Sequence, residues 1–222
     1  MADKDHLNMI ITGHIDNGKS TTMGHFLLDL GVVDERTISA HAKESEETGK
    51  GDSFKYAWVM DNIKDERARG ITIDLAFKKF ETPKYFFTLI DAPGHRDFVK
   101  NMITGASEAD CAVLVLSAKE GETDTAVAPG GQAREHAFLL KTLGVKQIIV
   151  AINKMDDSKF SEDAFNTAKQ KGEGLVKSVG YKLDDVPFVP VSGWTGENLV
   201  KKSENMPWYK GKTLLETFDD FK

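Results

Sequence analysis

The sequence lacks the marks of a disulfide-bonded, secreted or membrane-spanning protein. It contains one cysteine, Cys111, so no disulfide can form within the chain, and the apolar run around it predicts a buried strand thiol in a reducing compartment. No apolar stretch approaches the length of a membrane span, and the first residues do not resemble a signal peptide. We therefore expect a cytoplasmic protein without membrane contact.

The chain is also short of positive charge. Its 29 basic and 35 acidic residues give a net charge of −6, which argues against nonspecific coating of nucleic acid, so any RNA contact must be local. The 222 residues, 40% of them hydrophobic, are enough for a full core. Because no repeat or low-complexity tract divides the sequence, we expect residues 1–222 to form a single domain. We also expect the protein to be a monomer.

The most informative feature present is a glycine-rich loop at residues 13–20. These residues, GHIDNGKS, fit the pattern G-x-x-x-x-G-K-[S/T], between a strand-like run and a helix-like run. In this context backbone N–H groups and a helix N-terminus bind phosphate, Lys19 adds a charge and Ser20 gives a hydroxyl to Mg²⁺. The loop predicts a nucleoside triphosphate site. Its predicted nucleotide contacts are Gly13, His14, Ile15, Asp16, Asn17, Gly18, Lys19, Ser20 and Thr21.

A second motif, NKMD at residues 153–156, predicts which base is bound. An aspartate at a strand end can accept hydrogen bonds from N1–H and the 2-amino group of guanine, neither of which adenine offers. Adenine would leave Asp156 unpaired, and sites of this kind reject such analogues by about 10⁴ or more. GTP is therefore favoured over ATP. Asn153 would brace the nucleotide-binding loop, and the aliphatic stem of Lys154 would lie along the base. Met155, the next residue of the motif, is also a predicted nucleotide contact.

Between these motifs a strand-like run ends in the pattern D-x-x-G, from Asp91 to Gly94. The pattern is weak alone, but in this position it predicts that Asp91 holds Mg²⁺ through a water and that the Gly94 N–H contacts the γ-phosphate. Mg²⁺ prefers six oxygen ligands, so Ser20, a hydroxyl from a second loop and phosphate oxygens would complete its site. Thr72 is the candidate for that second hydroxyl. The motif therefore predicts a switch that responds to nucleotide state.

Several sequences together resemble the GTP-binding domain of a translational GTPase, and more narrowly the archaeal and eukaryotic elongation factor 1-alpha family. The resemblance covers essentially the whole chain and implies a P-loop GTPase fold. It also implies a GTP-binding and GTP-hydrolysing switch of translation elongation. The residues that carry it are 54–61, 70–73, 91–98, 100–105, 153–156, 192–194 and 206–209.

The resemblance assigns roles to residues around the γ-phosphate. It implies that Thr72 closes on Mg²⁺ and the γ-phosphate in the GTP state and releases them after hydrolysis. His95 would be the catalytic residue and would orient the attacking water, which Ile15 and Ile71 would shield. Phosphoryl transfer depends mainly on positioning and charge stabilisation, so a residue directly after D-x-x-G is well placed for this role.

The resemblance also assigns residues at the two flanks of the nucleotide. Ser192 and Gly193 match a guanine-contacting loop whose backbone N–H groups point toward the base carbonyl, with Trp194 packed alongside. Asp16 matches an aspartate associated with a monovalent cation near the β,γ-bridge. Asn17 departs from the histidine that is more usual in this loop, and we expect this position to act through its backbone.

Partners follow from the resemblance as well. The switch contains no obvious arginine finger, and hydrolysis can then be as slow as about 10⁻⁴ per second, so we expect an activator in trans, which the family implies is the ribosome. Family members continue into two β-barrel domains that help bind aminoacyl-tRNA, so we expect this chain to be the GTP-binding domain alone. A guanine-nucleotide exchange factor is implied too.

Two other interpretations remain open. A related GTPase, such as the partner of a release or rescue factor or the GTPase subunit of a sulfate-activating enzyme, would share the nucleotide motifs. A nucleotide-gated binding module that does not hydrolyse GTP belongs to a different class, and the presence of Thr72 and His95 speaks against it.

Apolar periodicity predicts alternating strands and helices, which is typical of a doubly wound α/β fold. The predicted strands lie near residues 7–12, 73–81, 85–91, 111–117, 147–153 and 187–192. The predicted helices lie near residues 19–30, 34–48, 95–105, 132–143, 160–178 and 213–220. A short turn at 81–84 makes the second and third strands antiparallel in an otherwise parallel six-stranded sheet. All binding motifs then fall at strand carboxyl ends.

Three groups of residues carry weaker expectations. The stretch 31–65 is predicted to be a largely helical insert ahead of Thr72, and 120–131 to be an irregular loop. Five histidines are expected to be exposed or to serve packing: His6, His14, His25, His41 and His136.

Overall fold

The structure is a computed structural model that describes residues 4–47, 54–60, 75–93 and 99–222. Its strands are β1 (Asp5–Gly13), β2 (Ala76–Glu81), β3 (Tyr85–Asp91), β4 (Cys111–Ser117), β5 (Gln147–Asn153) and β6 (Phe188–Pro190). Its α-helices are α1 (Lys19–Asp29), α2 (Glu35–Glu47), α3 (Val99–Glu108), α4 (Glu122–Val127), α5 (Gln132–Thr142), α6 (Glu162–Val179) and α7 (Leu214–Phe218). Short 3-10 turns cover Ala57–Val59 and Leu183–Asp185.

The strands form one six-stranded sheet in the order β2-β3-β1-β4-β5-β6. β2 and β3 are antiparallel, and each other neighbouring pair is parallel. The antiparallel pair follows from its short connection, in which the Thr82 N–H donates to the Tyr85 carbonyl at 2.9 Å. The predicted α/β fold, with a mostly parallel sheet and one antiparallel pair, is confirmed.

Helices pack on both faces of the sheet, so strand side chains are buried on both sides. Along β1, Ile10 contributes to a core with α3, α5 and α6, whereas Met9 and Ile11 contribute to a core with α1, α2 and α7. Every residue of β4 is buried, including the predicted strand thiol Cys111. In the part of the chain that the structure describes, no helix is long and apolar enough to cross a membrane.

One predicted loop proves to be partly helical. The stretch 120–131 contains α4, which begins after Gly121 at a φ of 80° and carries two carboxylates in its first turn, where they suit a helix N-terminus. Ala126 is fully buried and anchors the helix to the core. Six residues are too few for periodicity to reveal a helix, so the sequence predicted only a loop.

The last strand is shorter than predicted. β6 ends at Pro190, and the chain then turns so that Ser192 forms an isolated antiparallel bridge with Glu197. The insert at 31–65 begins with α2, as predicted, and its described later part, residues 54–60, is anchored by buried Trp58 and Met60.

The strand order locates a crevice at the carboxyl edge of the sheet. β1 and β3 are neighbours, but β1 leads to α1 on one face and β3 precedes α3 on the other. The two strands are therefore associated with helices on opposite faces, and ligands bind at such points in open α/β sheets. Gly13 and Asp91, at which two of the motifs begin, both lie there.

Candidate functional site

The loop between β1 and α1 has the backbone of a phosphate cradle. Gly13 has a φ of 148° and Gly18 a φ of 79°, in regions that favour glycine. A Cβ added at Gly13 would lie 2.4 Å from the Val115 carbonyl oxygen, and one added at Gly18 would lie 2.6 Å from Asn153 Nδ2. Among the residues described, no side chain caps the N-terminus of α1, which leaves the positive end of its dipole toward the loop.

Lys19 is the buried cation of this cradle. The side chain is fixed by the loop itself, because its Nζ donates to the His14 carbonyl at 3.0 Å. Burial lowers the pKa of Lys19, while the carboxylates of Asp91 and Asp16 act to raise it. A phosphate group in the cradle would add negative charge and stabilise the protonated lysine.

Ser20 and Asp91 bring two oxygen donors together beside the cradle. Ser20 Oγ donates to Asp91 Oδ2 at 2.7 Å, and Asp91 is fully buried at the end of β3. Hydroxyl and carboxylate oxygens are ligands that Mg²⁺ accepts, usually together with substrate phosphates and water. Across the described ranges, no cluster of three or more His, Cys, Asp or Glu could hold a metal. Mg²⁺ prefers six oxygen ligands, so phosphate oxygens and water would complete a site at this pair.

Four of the residues assigned around the γ-phosphate fall outside the described residues. They are Ile71, Thr72, Gly94 and His95, and their roles stay predictions. Of the remaining loop positions, Thr21 lies in the first turn of α1.

Asn153 connects the two halves of the site. It ends β5 and is buried, and its Nδ2 donates to the Asn17 carbonyl at 2.8 Å while its Oδ1 accepts from the Gly193 N–H at 2.8 Å. One amide side chain thus fixes the phosphate loop relative to the loop after β6. The contacts are of the bracing kind that the NKMD sequence suggested.

Asp156 is oriented by that second loop. Ser192 Oγ donates to Asp156 Oδ1 at 2.5 Å and accepts from the Thr195 N–H at 3.2 Å. Met155, which is buried beneath, donates its N–H to the Val191 carbonyl at 3.3 Å. The carboxylate is therefore held as a hydrogen-bond acceptor at the carboxyl edge of the sheet, where it could pair with the N–H groups of guanine.

The loop after β6 differs from expectation in how its backbone N–H groups are used. The Ser192 N–H donates to the Glu197 carbonyl at 3.0 Å, and the Gly193 N–H donates to Asn153, so both point into the protein rather than toward a base carbonyl. The Ser192 bond belongs to the isolated bridge with Glu197, and the Gly193 bond ties the loop to the end of β5. Trp194 packs beside this loop, edge-on to Tyr56 at 5.9 Å between ring centroids.

Lys154 is held by Glu122, which lies in the stretch 120–131 that the sequence predicted as an irregular loop. Its backbone is left-handed, with a φ of 62°, and its Nζ lies 2.8 Å from Glu122 Oε2 on α4. Burial raises the pKa of Glu122, but hydrogen bonds from Lys154 and Ser117 and the nearby lysine charges outweigh it and lower that pKa. The ion pair therefore joins the NKMD motif to α4.

Two residues of α5 support the phosphate loop and were not predicted. Gln132 Oε1 accepts from the Ile15 N–H at 3.0 Å, and His136 Nδ1 lies 2.7 Å from Thr12 Oγ1 in a buried contact. Burial, reinforced by the charge of Lys19, lowers the pKa of His136 to about 3, so the ring is neutral. Their spacing of one helical turn is the only sequence signal, and it does not by itself indicate what they contact.

Asn17 also does more than expected, because the sequence analysis gave this position a backbone role only. Its side chain is buried, and Nδ2 donates to the Val115 carbonyl on β4 at 3.1 Å. Together with the bond that its carbonyl accepts from Asn153, this contact ties the phosphate loop to two strands.

A glycine cradle with a buried lysine, an adjacent pair of hard oxygen donors and an aspartate braced after β5 define the class of P-loop GTPase domains. The chain is more specific than that class. Residues 4–221 match the family described as Elongation factor Tu GTP binding domain, so the chain belongs to this family of translational GTPases.

Individual relatives agree with this family. The chain is 86% identical over its whole length to elongation factor 1-alpha of Cenarchaeum symbiosum (strain A), of which it spans 51%. Among solved structures, it matches sup35 complexed with GDP at a TM-score of 0.72 and 33% identity, over 100% of this chain and 46% of that one. It also shares its fold with the S. cerevisiae Ski7 GTPase-like domain, at a TM-score of 0.82 and 24% identity, over 97% and 49% of the two chains. The chain spans about half the length of these proteins.

Proposed function

We propose that this chain binds GDP and GTP and hydrolyses GTP, as the GTP-binding part of an elongation factor that delivers aminoacyl-tRNA to the ribosomal A site. One observation carries the proposal. The phosphate cradle, the Ser20 and Asp91 oxygens and the Asp156 carboxylate lie at one edge of the sheet, joined through Asn153.

The similarity to known proteins favours elongation over the related functions. Identity to an archaeal elongation factor 1-alpha is 86%, against 33% to sup35, whose fold the chain shares. Because the chain spans 51% of that elongation factor, delivery of tRNA belongs to the whole protein. Contacts with aminoacyl-tRNA, the ribosome and an exchange factor are proposed for that whole protein, as a cytoplasmic monomer, with residues 1–222 as its GTP-binding domain.

Mg²⁺ fits the donors that the structure brings together. Ser20 would bind it directly, Asp91 would hold it through a water, and Thr72 would add a ligand in the GTP state. When bound, Mg²⁺ neutralises charge on the β- and γ-phosphates. Lys19 shares that task, since its buried ammonium lies in the cradle where phosphate oxygens would sit.

Hydrolysis is assigned to residues beside the γ-phosphate. His95 would orient the attacking water, Gly94 would donate its N–H to the γ-phosphate, and Ile15 with Ile71 would exclude other water. The sequence shows no obvious arginine finger, and hydrolysis without one can be as slow as about 10⁻⁴ per second, so activation in trans by the ribosome is part of the proposal.

Nucleotide titration tests this function directly. Purified protein is titrated with fluorescent GDP, GTP and ATP, with and without Mg²⁺, and phosphate release is followed in the same samples. We expect binding of guanine nucleotides only, strengthened by Mg²⁺, with slow hydrolysis of GTP. Equal binding of ATP, or no binding at all, would overturn the proposal.

A further inference from the structure

We propose that His25, on α1, is a positioning residue for base recognition. Its ring holds the Gly193 peptide in place, and through that peptide it orients the loop that aims Asp156 at guanine. The inference rests on the proposed function, and it gives a role to a buried histidine that the sequence suggested would be exposed or serve packing.

The first step is a hydrogen bond between α1 and the loop after β6. His25 is 8% exposed, and its Nδ1 lies 2.8 Å from the Gly193 carbonyl oxygen. A carbonyl oxygen only accepts hydrogen bonds, so Nδ1 carries a proton and donates. The histidine therefore fixes the Gly193 carbonyl, while Asn153 fixes the N–H of the same residue.

The ring itself is held on two further sides. It stacks on Tyr56 with 4.1 Å between centroids and an interplanar angle of 10°, and Nε2 lies 3.7 Å from Asp29 Oδ1. A Cβ added at Gly196 would lie 2.8 Å from Nε2, which shows how closely the loop approaches the ring. Tyr56 belongs to the described segment 54–60, so the ring also links that segment to the loop after β6.

The Gly193 peptide affects the orientation of the Asp156 carboxylate through the adjacent residue, Ser192. Ser192 Oγ donates to Asp156 Oδ1, and Ser192 is bonded directly to Gly193. The loop lies directly against α1, because a Cβ added at Gly193 would lie 2.3 Å from Thr22 Oγ1. Loss of the His25 hydrogen bond would let the Gly193 peptide rotate and would loosen the Ser192 contact that orients the carboxylate.

Two substitutions separate the hydrogen bond from the packing of the ring. His25→Phe keeps an aromatic ring against Tyr56 but removes the donor. His25→Asn places an amide N–H where Nδ1 lies but removes the ring. His6→Phe is the matched control, since His6 is exposed at the start of β1, where its Nε2 contacts Thr88 Oγ1 at 2.8 Å.

The measurements are dissociation rates and affinities for GDP and for inosine diphosphate, which lacks the 2-amino group that Asp156 would bind. In His25→Phe we expect GDP to dissociate about fivefold faster, and the preference for GDP over inosine diphosphate to fall by a similar factor. His25→Asn and His6→Phe should stay within about twofold of wild type. General destabilisation would weaken both nucleotides alike and leave the preference unchanged.

Two results would overturn the inference: a preference for GDP over inosine diphosphate that is unchanged in His25→Phe, with or without equal losses for both nucleotides, or the same loss in His25→Asn as in His25→Phe. Failure of the proposed function would look different. In that case the wild-type protein would not prefer GDP over ADP at all.

Discussion

The two ends of the candidate site are built in different ways. The phosphate end is one contiguous loop, residues 13–20, whose shape depends on glycine backbone conformations and on one buried cation. The base end is assembled from side chains that are far apart in the sequence, with Asn153, Asp156 and Ser192 joined by hydrogen bonds. Nucleotide binding at the phosphate end should therefore be sensitive to changes in charge and backbone conformation. Nucleotide binding at the base end should be sensitive to the loss of single hydrogen bonds.

The largest expected effect is at the phosphate end, from Lys19→Met. The change removes the phosphate's charged partner, so affinity for GDP and GTP should fall at least about 100-fold, on the order of 3 kcal/mol. It also removes a buried charge whose pKa burial has lowered, so the nucleotide-free protein should unfold at the same temperature or higher. Nucleotide titration and thermal denaturation check the two directions.

The matched control for that substitution is Lys146→Met, at an exposed lysine, which should change neither quantity. If Lys19→Met lowered affinity only in proportion to a loss of folding stability, Lys19 would be structural, and the contrast between the ends would fail.

At the base end, Asp156→Asn should change specificity rather than general affinity. The amide keeps an oxygen that can accept from Ser192, but it replaces an acceptor for guanine N–H groups with a donor. Affinity for GDP should fall by about 100-fold, and xanthosine diphosphate, which presents a carbonyl in place of the 2-amino group, should gain. Competition between the two nucleotides measures the change, and unaltered selectivity for GDP would refute the base assignment.

The support of the phosphate end by α5 can be tested through pH. His136 has a folded pKa of about 3 against an ordinary value of 6.5, so the unfolded state binds the extra proton between these values, and stability falls as the pH is lowered through that window. Between about pH 6.5 and about pH 5 this group should cost about 2 kcal/mol of unfolding free energy.

His136→Asn removes the titrating group and can keep a contact with Thr12. Denaturant unfolding at the two pH values should show a smaller loss in the variant than in wild type. Parallel losses in both proteins would mean that His136 does not govern this part of the pH dependence.

The same contrast explains what the sequence could predict. Residues 13–20 and NKMD are local patterns, so their positions at strand ends followed from apolar runs alone, and the six-stranded sheet with one antiparallel pair was predicted correctly. Contacts between segments leave no such pattern. The contact of Gln132 with the Ile15 N–H depends on the angle at which α5 packs, which no periodicity reports.

Short elements were lost for a related reason. The helix α4 is held by the burial of Ala126 and by its position after β4, not by any repeat in its own residues, so 120–131 was predicted as a loop. The Asn17 side chain was missed because its partner is a backbone carbonyl on β4, and a carbonyl has no sequence signature.

The smallest expected effect sharpens the comparison at the base end, through Glu122→Gln. The ion pair with Lys154 is partly exposed, so its loss should weaken GDP binding by at most about fivefold, within the range of about 1 kcal/mol that such pairs contribute. Asp124→Asn is the matched control, because Asp124 on the same helix pairs with Lys171 at 2.7 Å instead.

Both variants are titrated with GDP and GTP at low and high salt. Only Glu122→Gln should lose nucleotide affinity, and the loss should be largest at low salt, since salt screens an exposed ion pair. Equal effects of the two substitutions would mean that α4 contributes only its general stability, and that the base end is complete without it.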